Sequence, residues 1–176
     1  METSEPKESE FGVYDDWRWH VDGAFPAGRA PSQGYVHIGI FVAWLVRHGM
    51  LDEARAAGGE ARSAIDAIAD RRAAPTSLRE PTEGRLAAEM LTTEGRAFTS
   101  AYYAPEYGYP RDWQRIFGRR ADAYAVADSW ETYDLVEPTL DERYAEWVSK
   151  GRPELMPLPG VFVGRLARWL DRHLRR

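Results

Sequence analysis

The chain contains no cysteine. That excludes a disulfide framework, a thiolate metal site and a cysteine nucleophile, and it fits a reducing compartment. No apolar segment follows the first residues, so no secretion signal is read. There is no Gly-x-Ser-x-Gly elbow, no Walker loop and no dinucleotide fingerprint. HExxH and HxxxH pairs are also missing. Positive charge is in deficit, with a formal net charge of −5. General nucleic-acid binding needs basic patches that displace counterions, so that class is disfavoured. The expectation is a cytoplasmic protein with neither nucleic acid nor membrane as partner.

What is present suits an ordinary folded domain. A length of 176 residues fits one domain with a real core. Hydrophobic content of 44% and charged content of 29% are typical of globular chains. Seven tryptophans and nine tyrosines are many. Most belong in a core, and an excess suits a protein-binding surface. The polar segment Met1–Glu10 reads as a disordered tail, leaving residues 11–176 as a single globular helical domain.

The stretch Tyr14 to Leu51 holds three of the four histidines, three tryptophans and two adjacent aspartates. YDDWRWH alternates, which would put Tyr14, Asp16, Arg18 and His20 on one side of an extended segment and Asp15, Trp17 and Trp19 on the other. Pro26, Gly28 and Pro31 mark a loop. A helix is predicted from Gln33 to His48, with Ser32 as N-cap and Gly49 closing it. Its apolar residues run nearly all round, which places it at the centre of the core.

A second helix is predicted from Asp52 to Ala74, broken or bent at Gly58-Gly59. PTSLREPTEGRLAAEM reads as a helical turn and a connector, with Leu86, Met90 and Leu91 packed together. A helix entered through Thr92 or Thr93 carries Phe98, Tyr102 and Tyr103 inward. The loop around APEYGYPRDW is followed by a turn of helix over Asp112–Phe117. AYAVADSW alternates and suits a strand that could pair with the first stretch, Ala123–Asp128 beside Tyr14–His20. Ser129–Lys150 is a helix, with a kink at Pro138 and a stop at Gly151. Val161–Leu174 is a last helix, carrying Arg165, Arg168, Arg172, Arg175 and Arg176. The fold class is therefore mainly α: a compact helical domain of five or six helices, with room for a short two-stranded β element.

Two constellations could carry function. Asp15, Asp16, His20, His37 and His48 are ligand and acid–base types. His37 and His48 lie about 16 Å apart on one helix by helical rise, so one ion cannot bind both. The plain alternative is that an aspartate caps a turn and the histidines bond backbone carbonyls. The other constellation is acidic. Asp128, Glu131, Asp134 and Glu137 recur every three residues, followed by Asp141 and Glu142, which makes a negative band on a helix. Such a band is commonly a solvated face; it could also steer a basic partner.

YDDWRWHVDGAFP and HIGIFVAWLVRHGM resemble an uncharacterised bacterial domain family. The residues that carry the likeness are Tyr14, Asp15, Asp16, Trp19, His20, Phe25, Pro26, His37, Ile38, Gly39, Trp44 and Gly49. EGRAFTSAYY and SWETYDLVEPTLDERYAEW extend it over most of the chain. The resemblance implies no catalytic role. By analogy, small acidic cysteine-free proteins of this kind are compared with immunity proteins of toxin systems.

The leading expectation is an immunity-type protein that occludes a cognate protein toxin. Its surface would combine Asp128, Glu131, Asp134 and Glu137 with Tyr107, Tyr109 and Trp113, and it needs neither cofactor nor metal. The rival is an enzyme, such as a metal-assisted hydrolase, built on Asp15, Asp16, His20 and His37.

Overall fold

Helix α2, Val36–Arg47, forms the axis of the core. Every residue from Ile38 to Val46 is buried, as an all-round apolar sequence requires. It is entered through a 3-10 turn, Pro31–Tyr35, so the helical run begins close to where the sequence placed it. Ser32 is not the cap. Ala30 stands there, with Pro31 in the first turn, where its missing N–H is not needed. Gly49 ends the helix as expected, at φ +64. Its N–H bonds the Val46 carbonyl and the Met50 N–H the Leu45 carbonyl, a Schellman closure.

The computed structural model describes residues 12–21, 25–52, 59–118 and 122–156. The tail Met1–Glu10 and the arginine-bearing helix Val161–Leu174 fall outside them. Among the described residues there are six α-helices and one two-stranded sheet. No helix among them is long and apolar enough to cross a membrane.

Strand β1, Val13–Asp16, pairs antiparallel with β2, Arg85–Ala87. The expected partner of the first stretch, Ala123–Asp128, is not a strand; it starts as a 3-10 turn, Asp122–Tyr124. β2 lies instead in the segment expected to be a connector. Its three residues are too few to display an alternation. The first stretch is extended only as far as Asp16. Trp17–Val21 is a short helix, α1, where further extended chain was expected. Asp16 drives that change: its Oδ1 accepts the Arg18 N–H at 2.9 Å and caps the turn.

Helix α3, Gly59–Ala69, starts at the predicted glycine break and lays Ala61, Ile65 and Ile68 against the core. Helix α4, Thr93–Phe98, is capped by Thr92, whose side chain accepts the Gly95 N–H. It continues into a wider π-type turn, Thr99–Tyr103, with both Tyr102 and Tyr103 buried. Helix α5, Tyr109–Phe117, begins earlier than expected. Helix α6, Trp130–Ser149, is capped by Ser129 and runs through Pro138 as one element. Tyr133, Val136, Leu140 and Trp147 form its inner face. Gly151, at φ +81, ends it as expected.

Candidate functional site

Three elements bring Asp15, His20 and His37 together. The β1–β2 register shifts between Val13 and Asp15, an irregularity of the β-bulge kind. Bulges re-aim side chains. Here strict alternation fails, and Asp15 and Asp16 are both buried, each 7% exposed. His20 comes from α1 and His37 from the first turn of α2. Gly34 permits their meeting. A β-carbon there would come within 3.0 Å of Val21 Cγ1, 3.2 Å of the Trp17 carbonyl oxygen and 3.4 Å of His20 Cβ. Lacking one, the 3-10 turn lets α1 lie directly on it.

The geometry is tight. His20 Nε2 is 2.6 Å from Asp15 Oδ1, and His37 Nε2 is 3.3 Å from Asp15 Oδ2. The two imidazoles meet edge to face, 4.4 Å between centroids. Tyr103, from the π-type turn, donates its hydroxyl to Asp15 Oδ2, and the Tyr124 hydroxyl lies 3.1 Å from His20 Nδ1. Ligand-type atoms of Asp15, His20 and His37 all lie within 4.8 Å of one another, close enough to hold a metal ion between them. The side chains of His20 and His37 are 24% and 12% exposed, so the cluster lies just beneath the surface.

Electrostatics assign the charges. Burial alone would raise the Asp15 carboxyl, but hydrogen bonds from His20 and His37 outweigh it and hold Asp15 far below the usual carboxylate range. Burial pushes the His37 imidazole down, with nearby His20 adding to the effect and Asp15 opposing it. Burial and the Asp15 charge both raise the Tyr103 and Tyr124 phenols. The cluster is thus an anionic carboxylate, a neutral His37 and two protonated phenols. With Asp15 ionised, both Nε2 atoms donate to it, and the Tyr124 hydroxyl meets His20 at Nδ1.

Not every expected residue joins. Asp16 turns away and bonds Arg18. His48 lies elsewhere, stacked on Trp44 at 4.0 Å, with Nε2 3.3 Å from Asp141. Tyr109 and Trp113, expected on a contact surface, are interior at 1% and 4% exposure. They back His37 instead: the Tyr109 hydroxyl donates to the His37 carbonyl at 2.8 Å, and the Trp113 ring lies 6.0 Å away. Tyr107 is half-buried on the loop before α5.

The acidic residues of α6 are largely answered from within the chain. Arg71 grips Asp134 with two bonds of 2.6 and 3.1 Å and reaches Glu137 at 3.7 Å. Arg47 lies 3.8 Å from Glu137. Asp128 accepts the Thr76 hydroxyl, and Asp141 the Trp44 indole N–H. Glu131 and Glu142 are exposed.

Tyr103 and Tyr124 were missed as site residues. Tyr103 carried only an inward-facing signal, and Tyr124 sat in a run that alternated like a strand. The one hint was that EGRAFTSAYY, which holds Tyr103, was part of the resemblance.

Fold and site define a mainly α-helical domain with a two-histidine, one-carboxylate cluster beside a short bulged sheet. The chain belongs to the family described as a domain of unknown function, DUF7832, which matches residues 13–126. Neither a curated protein nor a solved structure matches it. The matched span takes in Asp15, His20, His37, Tyr103 and Tyr124, and stops before α6 and the SWETYDLVEPTLDERYAEW stretch.

Proposed function

We propose that the protein is an enzyme that activates water for hydrolysis at the Asp15–His20–His37 cluster. One observation carries this reading: three chemically apt side chains from separate elements meet within 4.8 Å. His48 bonds the Trp44 carbonyl at 2.9 Å and meets only an exposed carboxylate, that of Asp141. His20 and His37 both turn Nε2 to one buried carboxylate. In the reaction, water gives a proton to an imidazole nitrogen of the His20–His37 pair, its oxygen bonds the electrophilic carbon or phosphorus, and the leaving group departs with a proton. The Tyr124 hydroxyl, half-buried beside His20, is placed to deliver that proton.

The test is a panel of chromogenic esters, phosphodiesters and anilides, assayed with the purified full chain and with His20→Ala and His37→Ala. Turnover by the wild type that falls at least 100-fold in either variant, with circular dichroism unchanged, is the expected result. No turnover across the panel, or turnover untouched by both substitutions, sinks the reading.

The toxin-neutralising reading keeps one supporting observation. Leu135 is 62% exposed on α6, one turn from Glu131 and next to Asp134. An exposed apolar residue beside the exposed Glu131 suits a basic partner. Asp128, Glu131 and Tyr107 would join it. Co-expression with a toxin from the same gene neighbourhood tests this, and growth lost on Leu135→Asp is its expected signature.

A further inference from the structure

Asp15 is a buried anion whose hydrogen-bond donors are two imidazoles, a phenol and the Asp16 backbone N–H. The two imidazole rings meet edge to face, 4.4 Å between centroids, with both Nε2 atoms turned to that carboxylate. Both Nε2 atoms and the carboxylate thus converge on one point. We propose that this point binds one divalent first-row transition metal ion, with Nε2 of His20, Nε2 of His37 and a carboxylate oxygen of Asp15 as its ligands. The proposal rests on the hydrolytic reading for what the ion does, namely to acidify a bound water.

Distances favour it. Bonds of about 2.0–2.1 Å place ligands of a tetrahedral ion roughly 3.3 Å apart. The His37 Nε2–Oδ2 separation of 3.3 Å already matches; the His20 Nε2–Oδ1 separation of 2.6 Å must open as the ion enters and each imidazole carries its hydrogen at Nδ1 instead. The surroundings favour it too. Metal-bound histidines donate their other ring N–H to a fixed partner, and bound carboxylates are themselves hydrogen-bonded. The Tyr124 oxygen stands ready for His20 Nδ1, and the Tyr103 hydroxyl already holds Asp15 Oδ2. Two imidazoles select zinc-class ions over calcium and magnesium, which take oxygen ligands. Three protein ligands leave a position open for water, the pattern of catalytic rather than structural sites.

The experiment uses the full chain stripped with a chelator, then titrated with Zn²⁺ by calorimetry and with Co²⁺ by visible absorption. One equivalent per chain is expected, with the d–d bands of a four- or five-coordinate nitrogen–oxygen site. Asp15→Asn, His20→Ala and His37→Ala should each weaken binding at least 100-fold, and His48→Ala should leave it unchanged. If His37→Ala does not fold, the variants at Asp15 and at His20, on the five-residue α1, carry the test. No stoichiometric binding, or binding that survives loss of His20, overturns the proposal. Tight binding with no turnover upholds the metal site and defeats the hydrolytic reading. Turnover by a chain that binds no metal does the reverse.

Discussion

Tyr103 is the residue most exposed to a simple test. Its hydroxyl is buried and its partner is a buried anion. Tyr103→Phe keeps the ring and removes one donor from Asp15. A lost hydrogen bond to a buried charged group costs about 1–3 kcal/mol, so the urea midpoint should fall accordingly. Zinc affinity should fall about 10–100-fold, the usual effect of losing a group that orients a ligand. His37 makes a pH prediction for the metal-free chain. Its folded pKa is lowered by burial and by His20 against the pull of Asp15. The unfolded chain therefore binds a proton more readily below about 6.5. Stability is whole above that pH and falls as the pH drops below it. Asp15, also lowered in the fold, adds a second loss below about 4. Urea midpoints measured from pH 7.5 to 5 should decline for the wild type and stay nearly flat for His37→Gln, whose amide still donates to Asp15. Equal slopes would mean that His37 is not buried neutral. At this scale the sequence named Asp15, His20 and His37 by chemistry alone. Helical spacing set His48 apart, but nothing in the sequence separated Asp16, because that depends on a bulge and a helix cap that show only once the strand has a partner.

Between elements, charge acts through burial, and α6 shows both extremes. Asp112 is 2% exposed and accepts Arg143 Nε at 2.9 Å and the Tyr102 hydroxyl at 2.9 Å. This joins α5, α6 and the π-type turn. Asp134 makes two bonds to Arg71 of similar length, but its side chain is 51% exposed. Removing one partner of a buried pair leaves an unpaired buried charge and costs about 3–5 kcal/mol. An exposed pair contributes about 0–1 kcal/mol. Asp112→Ala should therefore lower the melting temperature sharply, and Asp134→Ala should scarcely move it; similar shifts would refute the distinction. The elements themselves were legible where periodicity was long. α2 was placed by its apolar spacing, α4 and α6 by spacing and by their caps Thr92 and Ser129, and Gly49 and Gly151 by where each pattern stopped. β2 was not legible, because three residues carry no period. The alternation of AYAVADSW misled. The segment turns at Asp122–Tyr124 instead, and Ala123 spends its carbonyl on the Trp113 indole at 3.2 Å.

On the scale of the whole molecule, the family match ends at residue 126, but the core does not. Tyr133, Val136, Leu140 and Trp147 of α6 are at most 1% exposed. Asp141 receives the Trp44 indole N–H from the central helix, and Met156 beyond α6 bonds back to the Ala101 carbonyl. At about 1.5–3 kcal/mol for each fully buried large side chain, the four inner residues contribute roughly 6–12 kcal/mol. Total domain stability is about 5–15 kcal/mol, so α6 accounts for a quantity of the same size. A chain ending at residue 126 should therefore lose near-ultraviolet circular dichroism and cooperative melting, although it retains every residue of the cluster. It should also bind zinc weakly, because Asp112 would lose Arg143 and α5 would no longer be fixed behind His37. Cooperative melting of that fragment within a few degrees of the full chain would instead make α6 an appendage, and the family span a domain in its own right.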